Sequence, residues 1–261
     1  VTNSQIEYYF TKAKQKITVL PGFIASTANG DTTTLGRGGS DFTAAIVAAA
    51  LDVDQVEIYT DVSGMYTANP KMVKQAKPIE SISYHEAMEL SHFGAKVLYP
   101  PTIVPVMSKN IPIRIKNTLQ PEEPGTLIHN QNGQSTNPIK GLSNISNVAL
   151  LTLEGGGMVG IPGISKRLFE TLSNQGINII LITQASSEHS ICLGVMEDDA
   201  GKAKNAIDEE FEYEISLNKI DPLTIEIGLS IIALVGDQMK SHQGISGKMF
   251  STLGKNNVNI R

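Results

Sequence analysis

The sequence of 261 residues predicts an α/β protein in which a largely parallel sheet is followed by ferredoxin-like βαββαβ units. Two observations lead to this fold class. Up to about residue 117, short apolar segments alternate with helical ones, which is typical of a parallel sheet with helices on both faces. Farther along, "GISKRLFETLSNQGINI" (163–179) aligns without a gap with "GISGKMFSTLGKNNVNI" (244–260), and an apolar strand precedes each copy. Duplication of one structural unit explains this agreement better than chance.

Two segments in the first part of the chain begin with residues typical of helix N-termini. Alanine and leucine dominate residues 41–51, so this segment predicts a helix with Ser40 or Asp41 at its N-cap. Ser83 and Glu86 have the spacing of a capping box ahead of another segment with helical periodicity. The predicted elements are, in order, a helix ending near residue 16, strands 17–20 and 22–26, helix 41–51, strand 55–60, helix 83–97, a short helix through residue 106 and strand 111–117.

The second part begins where the composition changes. Residues 118–147 are rich in Pro, Gly, Asn and Gln, and we place the boundary between two domains after residue 130. The first repeated unit is predicted at about 148–218, with "EYEISL" (212–217) as its last strand. The second, from about 226 to 261, is expected to be truncated, and we expect its open apolar edge to cause aggregation or pairing with a neighbour.

Composition and charge exclude several classes of function. The net charge of −5 offers no basic surface typical of nucleic-acid binding, and no apolar run approaches the ~20 residues of a membrane-spanning helix. A single cysteine, Cys192 in the predicted buried strand "SICLGVM", excludes an internal disulfide framework and is typical of a reducing compartment. The five histidines lack ligand spacing, so no metal site is predicted. We predict a cytoplasmic protein without nucleic-acid or membrane partners.

A glycine-rich loop precedes the predicted helix 41–51. Gly36, Gly38 and Gly39 allow close approach of the backbone to a ligand, and the N-terminus of a helix favours an anion. Arg37 adds a planar fork of donors that matches a carboxylate or a phosphate. The segment is either an anion-binding loop or a strand-to-helix turn with a solvated arginine, and the motif alone does not decide. A dinucleotide-binding loop is disfavoured because the last glycine of GxGxxG is absent.

Two further segments lie where α/β proteins place ligand contacts. "YTDVSGMYTANPK" (59–71) follows a predicted strand and is rich in turn residues, although an ordinary connection has the same composition. Lys96 comes just after Gly94, near the end of the predicted helix 83–97. For this residue the alternative is a lysine that only complements the helix dipole.

These motifs, in this order, carry a family resemblance. "GRGGSDFTAA" (36–45), "YTDVSGMYTANPK" and "SYHEAMELSHFGAKVLYP" (83–100) resemble the aspartokinase branch of the amino acid kinase superfamily, and the repeated βαββαβ units resemble its paired ACT regulatory domains. "LITQASSEHSI" (181–191) and "VGDQMKSHQGISGKMF" (235–250) resemble the aspartokinase half of bifunctional aspartokinase/homoserine dehydrogenases. The resemblance implies the C-terminal part of an amino-acid-kinase parallel-sheet sandwich, followed by ACT units.

The resemblance also implies an activity and a domain organisation. It implies phosphorylation of the side-chain carboxylate of L-aspartate by ATP with Mg²⁺, and NADP(H) only for an absent dehydrogenase part. The kinase domain would be 1–130 and the regulatory region 131–261, with residues 139–147 joining 226–261 in an interleaved second ACT unit. The "KFGG[TS]" loop that holds the phosphoryl group in the family is not found in this sequence. We therefore expect a fragment that lacks the first part of its kinase domain and has no appreciable kinase activity by itself.

Individual roles follow from the same resemblance. Arg37, Asp41 and Lys96 are the implied catalytic residues. Aspartate would be bound by Arg37, Gly38, Ser40 and Asp41; ATP by Thr60, Asp61, Tyr66, Lys71 and Lys96; and an effector by Met158, Gly160, Ile161, Asn178 and Gln184. The "LITQ" pattern implies threonine as effector, and paired ACT units imply a homodimer or tetramer. The alternatives are a non-catalytic amino-acid sensor and a monofunctional, lysine-inhibited aspartokinase.

Overall fold

The computed structural model describes residues 2–93, 97–130, 137–186 and 188–261, with the backbone alone at 92 and 93. The chain divides into two compact units, Val1–Ser143 with Ala233–Arg261, and Asn144–Ile232. Two separate clusters of buried apolar side chains form the cores. No helix within the described ranges is both long and apolar enough to cross a membrane.

The first unit combines helices with a four-stranded sheet. Its elements are α1 (Thr2–Lys12), β1 (Ile24–Ser26), β2 (Thr32–Thr34), α2 (Gly39–Leu51), β3 (Val56–Thr60), β4 (Ser81–Ser83), α3 (Tyr84–Phe93), α4 (Ile103–Met107), β5 (Ile113–Asn117), β6 (Thr126–His129) and α8 (Ile245–Lys255). β1 and β2 pair antiparallel, and the other strands form a sheet in the order β3-β5-β6-β4. β3 is parallel to β5 and β4 to β6, whereas β5 and β6 are antiparallel.

One face of this sheet forms the core of the first unit. Ile113 and Ile115 of β5 are fully buried, and Arg114 between them remains partly exposed, as the period of two in a strand requires. Ala45 and Ala48 of α2 are buried in the same cluster. The prediction of a strand at 111–117 is confirmed for Ile113–Asn117.

The sheet is mixed because of β6. Composition assigned residues 118–147 to a boundary, yet Thr126–His129 lies in the sheet between β5 and β4, and Ile128 is fully buried. These four positions of the boundary segment therefore form a strand of the first unit. The connection 118–125 is too short for a parallel crossover, which takes a dozen residues or more, so β6 returns antiparallel to β5.

The two predicted helix starts have different outcomes. The capping box is confirmed, because Ser83 and Glu86 each donate a backbone N–H to the other's side-chain oxygen at 3.1 Å. The N-cap of α2 is Gly38, in the left-handed conformation (φ 69°) and without a side-chain cap. Ser40 and Asp41 lie inside the first turn, so placing either at the cap was wrong. A left-handed N-cap favours glycine over serine or aspartate.

The predicted strand 17–20 does not form. Ile17 and Val19 are 81% and 89% exposed, and residues 17–20 have no strand assignment. From the neighbouring prediction, 22–26, only Ile24–Ser26 is extended, paired with β2. Apolar character alone does not make a strand, because its backbone groups need a pairing partner.

The second unit has the predicted ferredoxin-like order. Its elements are β7 (Gly141–Glu154), α5 (Ile164–Asn174), β8 (Leu181–Gln184), β9 (Ser190–Met196), α6 (Glu197–Glu210), α7 (Glu212–Ser216) and β10 (Thr224–Val235), with the first residues of β7 and the last of β10 belonging to the first unit. The strand order is β10-β7-β9-β8, and β9 is antiparallel to both neighbours. Numbered by appearance this order is 4-1-3-2, and α5 and α6 connect the strands.

The last strand of this unit is not "EYEISL". Residues 212–216 form the helix α7, and β10 supplies the strand beside β7. Arg167 of α5 explains the helix, because it binds both Glu210 and Glu214, which are one helical turn apart. The apolar strand that precedes the second repeat, "LSIIALV" (229–235), is the second half of β10 and not a separate strand.

Candidate functional site

The glycine loop before α2 is a tight turn. Gly36 and Gly38 have φ of 73° and 69°, and the Gly39 N–H donates to the Gly36 carbonyl at 3.0 Å. A Cβ on Gly38 would lie 2.3 Å from the Cβ of Tyr99, so no larger residue fits there. The turn starts α2 directly after Gly38 and directs its first free N–H groups outward.

Arg37 lies in this turn. It is exposed and makes no ion pair or side-chain hydrogen bond with any residue that the structure describes. Asp41, in the first turn of α2, is half-buried, and this burial raises the pKa of its carboxyl group. Ser40 is exposed. An unpaired guanidinium beside a helix N-terminus is a suitable site for a small carboxylate.

The segment 60–71 begins at the carboxyl end of β3. The Thr60 hydroxyl donates to Asp61 at 3.2 Å, and the Thr60 carbonyl accepts the Thr118 N–H at 2.8 Å. Because β5 ends beside β3 in parallel register, both strands open onto the same edge of the sheet. This edge is where α/β proteins bind ligands.

The remaining residues assigned to ATP lie farther along. Tyr66 is half-buried, and its backbone forms an isolated antiparallel β-bridge with Pro78. Lys71 is exposed, and its backbone N–H donates to the Asn69 side chain at 3.0 Å. Within the described ranges no hydrogen bond or ion pair joins the loop 36–41 to residues 60–71. Lys96 lies outside the described residues.

A pocket of ≈ 280 Å³ lies at the N-terminus of α5 in the second unit. Four of the five predicted effector residues line it, and Asn178, which is exposed, does not. Gly163, the N-cap of α5, is left-handed (φ 96°), which turns the loop so that the N–H groups of the first helical turn face the pocket rim. The lining residues are Met158, Gly160, Ile161, Pro162, Gly163, Ile164, Ser165, Gln184, Glu188 and Ile191.

Glu188 is a pocket residue that the sequence reasoning missed. It has a left-handed backbone (φ 56°), and its carboxylate accepts the Gly160 N–H at 3.1 Å. The tight turn after β8 directs this side chain to the loop after β7. No local motif predicts that contact, because its partners are 28 residues apart.

The described part of the chain contains no group of three or more His, Cys, Asp or Glu side chains that could hold a metal ion. His129 contacts Ser81 through Nε2 at 2.9 Å.

Comparison with known proteins matches both units. The sequence profile of the amino acid kinase family matches residues 1–117, and that of the ACT domain matches 151–211 and 232–261. The bifunctional aspartokinase/homoserine dehydrogenase of Haemophilus influenzae is 43% identical over 248 residues, which is 95% of this chain and 30% of that protein. The chain belongs to the aspartokinase family.

Other members of the aspartokinase family support this assignment. The lysine-sensitive aspartokinase 3 of Escherichia coli is 35% identical over 95% of this chain and 55% of its own length. Among solved structures, aspartate kinase from Clostridium acetobutylicum superposes with a TM-score of 0.84 at 33% identity, over 99% of this chain and 59% of that one. E. coli aspartokinase III in complex with aspartate and ADP has a TM-score of 0.73 at 35% identity, over 92% and 52%.

The aspartokinase assignment confirms the predicted α/β class with ACT units. The chain spans about 30% of the length of the bifunctional relatives it matches. The site residues stay predictions, because the comparisons test the family and not individual side chains.

Proposed function

We propose that this chain is part of an aspartate kinase that transfers the γ-phosphoryl group of MgATP to the side-chain carboxylate of L-aspartate, forming ADP and 4-phospho-L-aspartate. One observation carries the proposal: Arg37, which is exposed and has no ion-pair partner among the described residues, lies in a left-handed glycine turn at the N-terminus of α2. The structure of E. coli aspartokinase III with aspartate and ADP supports the same substrate pair. The proposed kinase domain is 1–130, and the regulatory region is 131–261.

The proposed chemistry needs cations and donors rather than a base. A carboxyl group with a pKa near ~4 is already ionised at neutral pH, so the enzyme must position two anions and neutralise charge on the phosphoryl group. Arg37 binds the α-carboxylate of aspartate with two parallel N–H donors, and the α2 N–H groups add a favourable dipole. Gly38, Ser40 and Asp41 form the wall of this site.

The nucleotide lies at the carboxyl edge of β3 in this proposal. Thr60 and Asp61 leave the strand there, Tyr66 provides an aromatic surface, and Lys71 and Lys96 provide positive charge toward the phosphates. Lys71 is a point charge without the bidentate geometry of arginine. MgATP enters as a substrate, with its metal ion bound to the phosphates.

The kinase proposal is tested with Arg37→Ala and Arg37→Lys in the full-length enzyme that contains this chain. A hydrogen bond between charged groups contributes about 1.5–3 kcal/mol to binding. Arg37→Ala should therefore raise the KM for aspartate roughly 10- to 150-fold and leave the KM for ATP nearly unchanged. The KM for aspartate of Arg37→Lys should lie between those of the wild type and of Arg37→Ala. Lys109→Ala, which removes an exposed cation paired only weakly with Asp52 at 3.9 Å, is the matched control. An unchanged KM for aspartate in Arg37→Ala would refute the assignment.

The 261 residues alone are proposed to be inactive, since no "KFGG[TS]" loop is found among them. The parent is proposed to carry a homoserine dehydrogenase part that uses NADP(H), like the bifunctional relatives by name. We also propose a cytoplasmic location. A coupled assay of ADP release, run on this chain and on the full-length enzyme, tests the first point: robust turnover by the chain alone would overturn it.

The pocket at the start of α5 is proposed to bind threonine as a feedback effector. The first N–H groups of α5 can donate hydrogen bonds to the α-carboxylate, and the Gln184 amide and Ser165 hydroxyl can pair with the ammonium and hydroxyl groups. Lysine is the second candidate, because the carboxylate of Glu188 lines the same pocket and complements an additional ammonium group. E. coli aspartokinase III has been solved in complex with lysine and aspartate.

Calorimetric titration of the chain with threonine and with lysine separates these candidates. Gln184→Ala should weaken threonine binding about 2- to 13-fold, the equivalent of one neutral hydrogen bond. Gln175→Ala, at the opposite end of α5 and outside the pocket, should bind like the wild type. Equal threonine affinity in Gln184→Ala would remove this residue from the effector site. Binding of an amino acid without any kinase activity in the full-length protein would favour the sensor alternative.

The ACT region is also proposed to form a homodimer or tetramer. β8 is an edge strand of its sheet, and all four of its residues are exposed. Its free backbone edge can therefore pair with the same strand of a second copy of the chain. Light scattering across a concentration series tests this assembly, and a monodisperse monomer at every concentration would exclude it.

A further inference from the structure

A buried asparagine contacts the loop that leaves the strand β3. Asn117, the last residue of β5, is 7% exposed and pairs in parallel register with Thr60, the last residue of β3. Its Nδ2 atom donates to the Ser63 hydroxyl oxygen at 3.0 Å and to Gln120 Oε1 at 3.4 Å. The Ser63 hydroxyl in turn donates to the same Gln120 oxygen at 3.1 Å. We call these three side chains the Asn117 triangle.

The orientation of the Asn117 amide follows from its backbone partner. The Leu119 N–H can only donate, and it points to Asn117 Oδ1 at 2.9 Å. This local contact is an Asx turn, which is typical of asparagine where a strand ends. The turn needs only the oxygen atom, and the Nδ2 atom lies on the side of Ser63. The contact with Ser63, 54 positions away, is therefore additional to the turn.

The loop that contains Ser63 is short and is held at both ends. β3 ends at Thr60, and Met65 is fully buried, with its N–H donating to the Thr126 hydroxyl oxygen at 2.7 Å. Between them Gly64 is left-handed (φ 99°), and a Cβ there would lie 2.4 Å from Thr126 Oγ1. Because both ends are fixed, one further contact at Ser63 restricts the path of the whole loop.

This loop leads from β3 to residues proposed for ATP. Thr60 and Asp61 stand at its start, and Tyr66 follows directly after Met65. Asn117 itself is buried, and both N–H groups of its amide donate within the protein. Asn117 therefore affects a nucleotide through the loop and not by direct contact.

We propose that Asn117 is a positioning residue for ATP, an inference that rests on the proposed function. By donating to Ser63, it holds the loop in the conformation that presents the proposed nucleotide residues to ATP. A loop that is ordered before binding loses less conformational entropy when the ligand arrives, so this contact raises the affinity for ATP. Within the described ranges the loop 36–41 shares no hydrogen bond with residues 60–71. The effect should therefore be confined to the nucleotide and spare aspartate.

The test is a double-substitution cycle with Asn117→Ala, Ser63→Ala and both together, in the full-length enzyme that contains this chain. One neutral hydrogen bond corresponds to about 2- to 13-fold in affinity, so each single substitution should raise the KM for ATP within this range. Both substitutions remove the same contact, so the double variant should resemble the single ones instead of showing the product of their effects. The KM for aspartate should stay unchanged in all three.

Two further variants separate positioning from a general structural effect. Ser63→Thr keeps the hydroxyl and should keep the wild-type KM for ATP. Ser108→Ala is the matched control, since it removes an exposed hydroxyl that donates to the Pro105 carbonyl at 2.8 Å, and it should behave like the wild type. Calorimetric titration of each full-length variant with ADP gives the same comparison without turnover. A merely structural Asn117 would lower the free energy of unfolding and leave the KM for ATP unchanged.

An unchanged KM for ATP in Ser63→Ala would overturn the positioning role, even if Asn117→Ala did not fold, and would leave the proposed function intact. Effects that multiply in the double variant would also overturn it, because Asn117 would then act through another contact. If the full-length wild type phosphorylated no aspartate, the proposed function would fail, and ADP binding would still decide the role of Asn117. If it bound no ADP either, the positioning role would fail with the nucleotide site.

Discussion

Gly36 and Gly38 have nearly the same left-handed backbone but different surroundings. A Cβ on Gly36 would meet nothing within 4 Å, whereas on Gly38 it would overlap the side chain of Tyr99. The backbone conformation alone costs a non-glycine residue roughly 1–2 kcal/mol. A substitution at Gly36 therefore tests backbone strain alone, whereas one at Gly38 adds steric overlap with Tyr99.

We predict that Gly36→Ala lowers the free energy of unfolding by about 1–2 kcal/mol and that Gly38→Ala lowers it by a further ~1–3 kcal/mol, because overpacking adds to the strain. Urea unfolding of both variants measures the difference. Equal destabilisation would mean that Tyr99 moves aside freely, and the loop would then tolerate a side chain at position 38.

At the scale of elements, Arg167 connects α5 with α6 and α7. Its guanidinium donates to Glu210 at 2.7 Å and to Glu214 at 2.5 Å, and it lies 4.5 Å from the centre of the Phe211 ring. The hydrogen bond from Arg167 lowers the pKa of Glu214, although burial opposes this effect. The same two carboxylates raise the pKa of Arg167, so it remains charged. This cluster stabilises the position of α5, whose first turn lines the proposed effector pocket.

The lowered pKa of Glu214 predicts a stability that depends on pH. Because the folded pKa lies below the unfolded value of about 4.3, the contribution is complete above that value and is lost as the pH falls through the folded pKa. Glu214→Gln should therefore destabilise the chain by about 1 kcal/mol at pH 7, after allowance for partial exposure, and much less at the lowest pH. Glu212→Gln, on the exposed side of α7, is the control. The measurement is urea unfolding across pH; a difference independent of pH would contradict the assignment.

On the scale of the whole molecule, the described residues form two cores rather than one. Leu90, 1% exposed, belongs to the core of the first unit, and Leu168, fully buried, belongs to that of the second. No residue is shared between the two clusters. Each cluster is large enough to unfold cooperatively, so calorimetry should resolve two transitions.

Leu90→Ala and Leu168→Ala form a matched pair for this prediction. Each should cost about 2–5 kcal/mol through the cavity it leaves, and each should lower only the transition of its own unit. Differential scanning calorimetry of the two variants assigns the transitions. If both substitutions shifted a single common transition, the two cores would unfold as one cooperative unit.

Short-range patterns in the sequence determined much of this protein. The Ser83–Glu86 spacing predicted the start of α3, and the repeated "GIS" segments predicted α5 and α8 at equivalent positions. The glycine motif around Arg37 predicted the turn before α2. Such features depend on residues within one or two turns of each other, so the local sequence contains all the information they need.

Only the tertiary structure decided the features that depend on distant partners. Residues 126–129 become a strand because β5 and β4 lie on either side, and "EYEISL" becomes a helix because Arg167 binds beside it. Glu188 reaches Gly160, and Asp237 reaches Ser83, across 28 and 154 positions. The physical reason is common to all four: a backbone or polar group is stabilised by whichever partner folding brings to it, and that partner leaves no pattern in the neighbouring sequence.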